Sequence, residues 1–192
     1  MKLFIKNMVC IRCKMVVKAE LDKLNIIHKD LVLGEVDLLN SISQEQLEVL
    51  DVGLKTYGLE LITDNRAKII EKIKNTIIEL IHYSDEEVKV NFSAYLSEKL
   101  NYDYTYLSNL FSEVHGTTIE HFIIHQKIER VKELLVYNEI NLSEIAWKLH
   151  YSSVQHLSTQ FKQVTGLTPT FFKNLSIQRR KEANNQALPE DL

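Results

Sequence analysis

Apolar residues change their spacing several times along this chain, and each change marks an element. Residues 2–6, Lys-Leu-Phe-Ile-Lys, alternate and predict a short strand. Met15, Val16, Ala19, Leu21 and Leu24 then recur at helical spacing. Two apolar stretches flank Gly34 between Ile26 and Leu39, which predicts a hairpin. Ser43, with Gln46 three residues on, has the pattern of a capping box, and the helix it opens runs to about Tyr57, with Gly58 as its stop. Leu59 to Thr63 completes the series as a last strand. The order strand, helix, two strands, helix, strand predicts a ferredoxin-like βαββαβ domain over residues 1–64.

Thr63-Asp64-Asn65 marks the expected domain boundary. Arg66 to Tyr83 reads as an amphipathic helix with Ile69, Ile70, Ile73, Ile77, Leu80 and Ile81 on one side. It is either a seam between two copies of the chain or the first helix of the next domain. Ser84 to Lys89 is a polar, acidic loop. Beyond it the chain repeats itself. Leu96 to Asp103, continuing to Leu107 and Phe111, has its counterpart in Ile145 to Ser152, continuing to Leu157 and Phe161. Each copy predicts a short helix, a tight turn and a second helix. Ser97 and Ala146 are small where the helices cross. Asn101 and His150 fall at the turn, where a left-handed backbone is wanted. Asp103 and Ser152 are the expected caps of the second helices, and the Leu/Phe pairs their anchors. A long helix, about Ile119 to Tyr137, separates the copies, and Gly166-Leu167-Thr168-Pro169 ends the second before a short helix. The fold class is therefore α+β: a small βαββαβ domain (1–64), an all-α domain with two helix-turn-helix units (65–176), and a polar tail (177–192).

Composition sharpens this picture only in part. Five Gly and two Pro fit a helix-rich chain with short connections. The net charge of −3 gives no overall support for nucleic-acid binding. The charge is uneven, however. Residues 1–64 carry 8 Lys/Arg against 10 Asp/Glu, whereas residues 89–181 carry 11 against 8 and end in Arg179-Arg180-Lys181. No apolar run is long enough for a membrane span, and Lys2 and Lys6 are not followed by a cleavage site, so a cytoplasmic chain is expected. Both cysteines, Cys10 and Cys13, stand in one CxxC, which in a cytosolic chain points to metal or redox chemistry. His121 and His125 are four apart on a helix but have no third ligand nearby. A Gly-rich phosphate loop, a paired-carboxylate arrangement and a nucleophile set are all missing, so an enzyme is not expected.

The repeat resembles the DNA-binding domain of the AraC/XylS family. The residues that carry the resemblance are Leu107-Ser108-Asn109-Leu110-Phe111, Lys127 to Val131 with Leu134-Leu135, Leu142 to Ala146, and Gly166-Leu167-Thr168-Pro169. It spans about Ala67 to Lys173. It implies two recognition helices entering successive major-groove segments of double-stranded DNA, spaced by the long central helix. By position in the motif, Tyr104, Thr105, Ser108 and Asn109 would face DNA from the first, and Val154, Gln155, Ser158 and Thr159 from the second. Asn and Gln can pair with adenine, and Thr and Val can touch the thymine methyl, so A·T-rich sites are expected. Neither recognition helix has arginine, and neither turn has glycine.

Residues 1–64 resemble a heavy-metal-associated domain of the copper-chaperone kind, through Met8-Val9-Cys10-Ile11-Arg12-Cys13 after the first strand and Gly58 after the second helix. Asn7 and Val9 depart from the family's usual residues there. Two thiolates so spaced suit a soft ion in near-linear coordination, best Cu(I). The helix N-terminus and Lys14 favour thiolate, and Met8 packs under the loop in this reading. Lys55 and Tyr57 are candidates for lying near the thiols. Three functions compete on these grounds. The first is a regulator responsive to Cu(I) or another soft metal, acting as a monomer or homodimer. The second is a regulator switched by oxidation of Cys10 and Cys13. The third is a non-regulatory module that docks a metal chaperone or pump.

Overall fold

The computed structural model describes residues 1–84, 91–137 and 140–186, with side chains to residue 180. The first alternating stretch is strand β1 (Lys2–Lys6) at the centre of a four-stranded sheet. Around it lie β2 (His28–Val32), β3 (Glu35–Leu38) and β4 (Glu60–Ile62), in the order β2-β3-β1-β4. All three pairings are antiparallel, with Leu3 opposite Val36 and Ile5 opposite Leu61. Helices α1 (Ile11–Lys23) and α2 (Gln44–Lys55) connect the strands. The element order is the expected one, a small antiparallel sheet with helices, followed by a helical region.

Alternation sends Leu3 and Ile5 to one face of β1 and Phe4 to the other. Ile5, Val17, Leu21, Val36, Leu38, Leu50 and Leu54 are all fully buried and form the core of this layer. The helical spacing of α1 misplaced its buried face. Met15 is 66% exposed, while Val17, Glu20 and Leu21 point inward. Glu20 is tolerated there because it pairs with Lys23 at 2.5 Å and because Gly53 on α2 leaves room for it: a Cβ at Gly53 would lie 2.5 Å from a Glu20 carboxylate oxygen. The expected capping box is present, with Ser43 and Gln46 each accepting from the other's backbone at 3.1 Å.

Helix α3 (Asn65–Ile78) opens on the Asp64 cap and runs into a π-helical turn, Glu79–Tyr83. The one-sided stripe read from the sequence is only part of its burial. Asn75, Thr76, Ile77 and Ile78 are buried in succession, which no helix with a single covered face can achieve. The sheet lies against α3 on one side: Lys68 and Lys72 sit over the Phe4 ring at 5.3 and 4.9 Å, and Gly34, at φ +74°, abuts Asn75 so closely that a Cβ would fall 1.9 Å from its Nδ2. Helices α4 (Phe92–Leu100) and α5 (Tyr104–His115) lie against it elsewhere, with Arg66 paired to Glu113 at 2.5 Å. Residues 1–83 and 91–119 pack as one unit, and a second begins at Glu120. Helix α3, just past the boundary expected at residues 63–65, packs on the sheet and on α4 and α5 alike.

The second unit holds α6 (Ile119–Tyr137) from Glu120 on, α7 (Leu142–Lys148), α8 (Val154–Thr165) and α9 (Pro169–Gln186). Helix α9 takes in residues 177–186 of the expected tail; residues 187–192, like the expected loop over 85–89, lie outside the described residues. Among the described residues, no helix is long and apolar enough to cross a membrane.

Candidate nucleic-acid interface and thiol pair

The first helix-turn-helix is α4, Asn101 and α5. Asn101 takes the left-handed conformation at φ 58°, and the Tyr102 amide reaches back to the Ser97 carbonyl at 3.3 Å. The second is α7, His150 and α8. His150 is left-handed at φ 54°, and the Tyr151 amide reaches back to Ala146 at 2.9 Å. Both turns therefore close by the same backbone bond over the small residue, without glycine. Asp103 caps α5 by accepting the Thr105 and Tyr106 amides at 2.8 and 3.3 Å. The cap of α8 is Ser153, which accepts the His156 amide at 3.1 Å. This corrects the expectation of Ser152, whose hydroxyl instead lies 3.0 Å from His156 Nδ1. Helices α5 and α8 each end on a glycine at φ 76°, Gly116 and Gly166. Asn141 and Glu144 add a capping box to α7, a device the sequence reading did not pick out.

The inward faces are Leu107, Leu110 and Phe111 on α5 and Leu157 and Phe161 on α8. Their outward faces repeat position by position. Thr105 and Asn109 are exposed and Tyr104 and Ser108 half-buried; Gln155 and Thr159 are exposed and Val154 and Ser158 half-buried. Two further residues share these faces. Tyr106 is exposed and stacks on Tyr102 with ring centroids 5.5 Å apart, and His156 stands at the equivalent position of α8. Each lies three residues beyond the cap of its helix, an equivalence that emerges only once Ser153 replaces Ser152 as the cap of α8.

Lys127 of α6 is the least expected participant in the second unit. Its Nζ donates to the Leu149 carbonyl at 2.8 Å and lies 5.3 Å from the centre of the Tyr151 ring. It closes the carbonyl end of α7, and burial lowers its ammonium below the usual lysine range. Tyr151 is buried beside it, donates to Gln160 Oε1 at 2.7 Å, and has its phenol pushed up to about 12 by burial.

At the other end of the chain, Cys10 and Cys13 are part-buried and reduced, with their sulfurs 3.3 Å apart. Cys10 is the N-cap residue of α1. Burial pushes its thiol up, but the Cys13 amide and thiol, the Arg12 amide and the Arg12 charge outweigh it and bring the group below the ordinary thiol value. Met8 is fully buried. Val9, Ile11 and Met15 are exposed around the pair. Lys55 is paired with Asp51 at 2.6 Å, and Tyr57 is exposed. His121 and His125 are both exposed. Among the described residues, no group of three His, Cys, Asp or Glu could hold a metal.

Comparison with known proteins bears on the helical region. A family model described as a helix-turn-helix domain matches residues 96–174. An uncharacterized HTH-type transcriptional regulator of Bacillus subtilis, YtdP, is 27% identical over 100 residues, which are 52% of this chain and 13% of that protein. The transposon Tn10 TetD protein of Escherichia coli is 24% identical over 119 residues, 62% of this chain and 84% of that one. A transcriptional regulator of Chromobacterium violaceum, described as having an AraC-type DNA-binding domain, aligns at 18% identity and a TM-score of 0.48, covering 56% of this chain and 95% of that one. The match of residues 96–174 to the helix-turn-helix model covers the two helix pairs described above, and the Bacillus subtilis relative is described as an HTH-type transcriptional regulator. The chain spans only 13% of the first relative's length.

Proposed function

We propose that the chain is a sequence-specific DNA-binding transcription regulator of AraC/XylS type. Helices α5 and α8 would enter successive major-groove segments of double-stranded DNA, with α6 setting their spacing. The observation that carries this reading is the repeat of the outward faces, with caps, left-handed turn residues and terminal glycines at matching positions. A helix pair built twice to one plan presents two equivalent reading surfaces. Thr105, Asn109, Gln155 and Thr159 would make base contacts, with Tyr104, Ser108, Val154 and Ser158 at their flanks. Selection of binding sites from random duplexes tests it. A·T-rich sites are expected, with Gln155→Ala or Asn109→Ala each losing about 1–3 kcal/mol of discrimination at one base pair. Recovery of G·C-rich sites overturns the A·T preference, and recovery of none overturns the DNA-binding reading.

In the same reading the βαββαβ order and the β2-β3-β1-β4 sheet belong to a ferredoxin-like, heavy-metal-associated domain that senses the cellular state. Two thiols without a third ligand grouped beside them among the described residues, one with a lowered pKa at a helix N-terminus, suit a two-coordinate soft ion such as Cu(I) better than zinc, which wants more ligands, provided the sulfurs open from their 3.3 Å separation to admit it. When bound, such an ion would crosslink the two thiolates and fix the loop. The same pair also serves the redox alternative, since a disulfide needs only these two sulfurs. Anaerobic Cu(I) titration against a competing chelator, beside Cys10→Ser/Cys13→Ser, tests the metal reading. One-to-one binding lost in the variant supports it; equal weak binding by both removes it.

A further inference from the structure

The loop that carries the cysteines does not end in solvent. Asn7, left-handed at φ 66°, precedes it, and the Asn7 amide donates a long hydrogen bond, 3.4 Å, to Glu71 Oε2 on α3. The other Glu71 oxygen holds Lys74 at 2.6 Å, and both side chains of that pair are mostly buried. The Asn7 carbonyl faces Cys13 Sγ at 3.9 Å. Further along the loop, the Val9 carbonyl accepts from the Tyr83 hydroxyl at 3.5 Å, on the π-helical turn that follows α3. The residues immediately before Cys10 are therefore tied to α3 and its extension at two points. Helix α3 in turn packs on α5, the first recognition helix, and is pinned to it by Arg66 and Glu113. A π-helical turn is a local departure from the regular ladder, often found at functional positions.

We propose that α3 transmits the state of the Cys10–Cys13 pair to α5, through Glu71 and Tyr83. The proposal rests on the reading above that the thiol pair is responsive and that α5 reads DNA. Joining the thiols, by a bound ion or a disulfide, changes the path of residues 7–13. Sulfurs 3.3 Å apart must close to about 2.05 Å to form a disulfide. The part of that closure not taken up by cysteine side-chain rotation falls on the loop, and through Val9 and Asn7 on their bonds to Tyr83 and Glu71. Helix α3 is buried on several faces, so a shift imposed at one side is passed to the packing on another and not absorbed by solvent-exposed slack. The α5 face is then held differently in the two states, which is the differential interaction that coupling requires.

Hydrogen–deuterium exchange of the full chain tests this, reduced and after diamide treatment. Diamide takes up the two electrons and two protons released as the two thiols become one disulfide. In the wild type, exchange across residues 65–78 and 104–115 should change between states. In Glu71→Gln, and separately in Tyr83→Phe, the change should stay within the first sheet and its two helices. Tyr83→Phe removes one hydroxyl and keeps the test valid should Glu71→Gln fail to fold. A wild-type change confined to residues 1–62 overturns the proposal. So does a change that reaches α5 equally in wild type and Tyr83→Phe. DNA binding is measured beside it, where a shift of about fivefold or more between states is expected in the wild type, the lower end of ordinary allosteric coupling. Exchange that moves at α5 while DNA affinity stays constant leaves the coupling standing and counts against the regulator reading instead.

Discussion

The two helix-turn-helix units share one plan and differ in what holds them. Helix α5 (YTYLSNLFSEVH) contains no Lys or Arg and carries Glu113, whereas α8 (VQHLSTQFKQVT) carries Lys162 and no acidic residue. The first unit lies in a packing unit with the sheet and α3; the second is closed by Lys127 and Tyr151 within its own unit. A repeat thus preserves the surface that faces outward while its inward support is rebuilt from whatever lies next to it in the chain.

The largest effects should come from the anchors. Phe111→Ala and Phe161→Ala each remove a fully buried ring and should cost about 3–5 kcal/mol in urea unfolding. The comparison sharpens if Phe111→Ala also raises exchange in the sheet while Phe161→Ala leaves residues 1–62 unchanged. An equal response of the sheet to both would break it.

Lys127→Met should destabilise the second unit by about 1–3 kcal/mol, because the Leu149 carbonyl loses its charged donor. The titration has a definite sign. Burial lowers the folded value of Lys127 below 10.5, so the unfolded chain holds the proton longer. Wild-type stability should therefore rise with pH between the folded value and 10.5, a rise that Lys127→Met lacks. Parallel curves for the two proteins would show that burial leaves the lysine's titration unchanged.

The smallest effects belong to the caps. Asp103→Ala and Ser153→Ala should each cost about 1 kcal/mol in thermal or urea melts. Asp103 should cost the more, since it accepts two amides and places a negative charge at a helix N-terminus. Ser152→Ala should change little, which separates the observed cap from its neighbour.

The features legible in the sequence were those set by local chemistry. Asn101 and His150 sit left-handed as their places in the repeat required, Ser43 and Gln46 form their box, and Gly166 ends α8. Leu107, Phe111, Leu157 and Phe161 were recognisable as anchors because they recur at one spacing in both copies. Where tertiary surroundings decide, the reading slipped. Helix α1 has few apolar residues, so its phase was ambiguous, and a salt-bridged Glu20 rather than Ala19 completes its buried face. Adjacent serines made the cap of α8 uncertain by one residue. The interior place of Asn75 and Thr76 on α3 could not be read from periodicity, which reports one covered face and treats polar residues as the other. Lys127 was visible only as part of a family pattern; that its charge closes a helix end is a fact of three dimensions.

The close seat of Gly34 against Asn75 bears on modularity. Recombination that exchanges segments between proteins is tolerated best at linkers, where little is lost on either side. Here the apparent linker at residues 64–65 leads straight into a helix whose Ile73 and Ile77 are fully enclosed and whose Asn75 is shaped around a hairpin from the other half. A segment transplanted from residue 65 onward would carry an uncovered α3 face and a misfitted Asn75 amide into its new host. The two halves are in that sense a single heritable part, to be exchanged together or, if apart, only with the surface of α3 redesigned for life without the sheet.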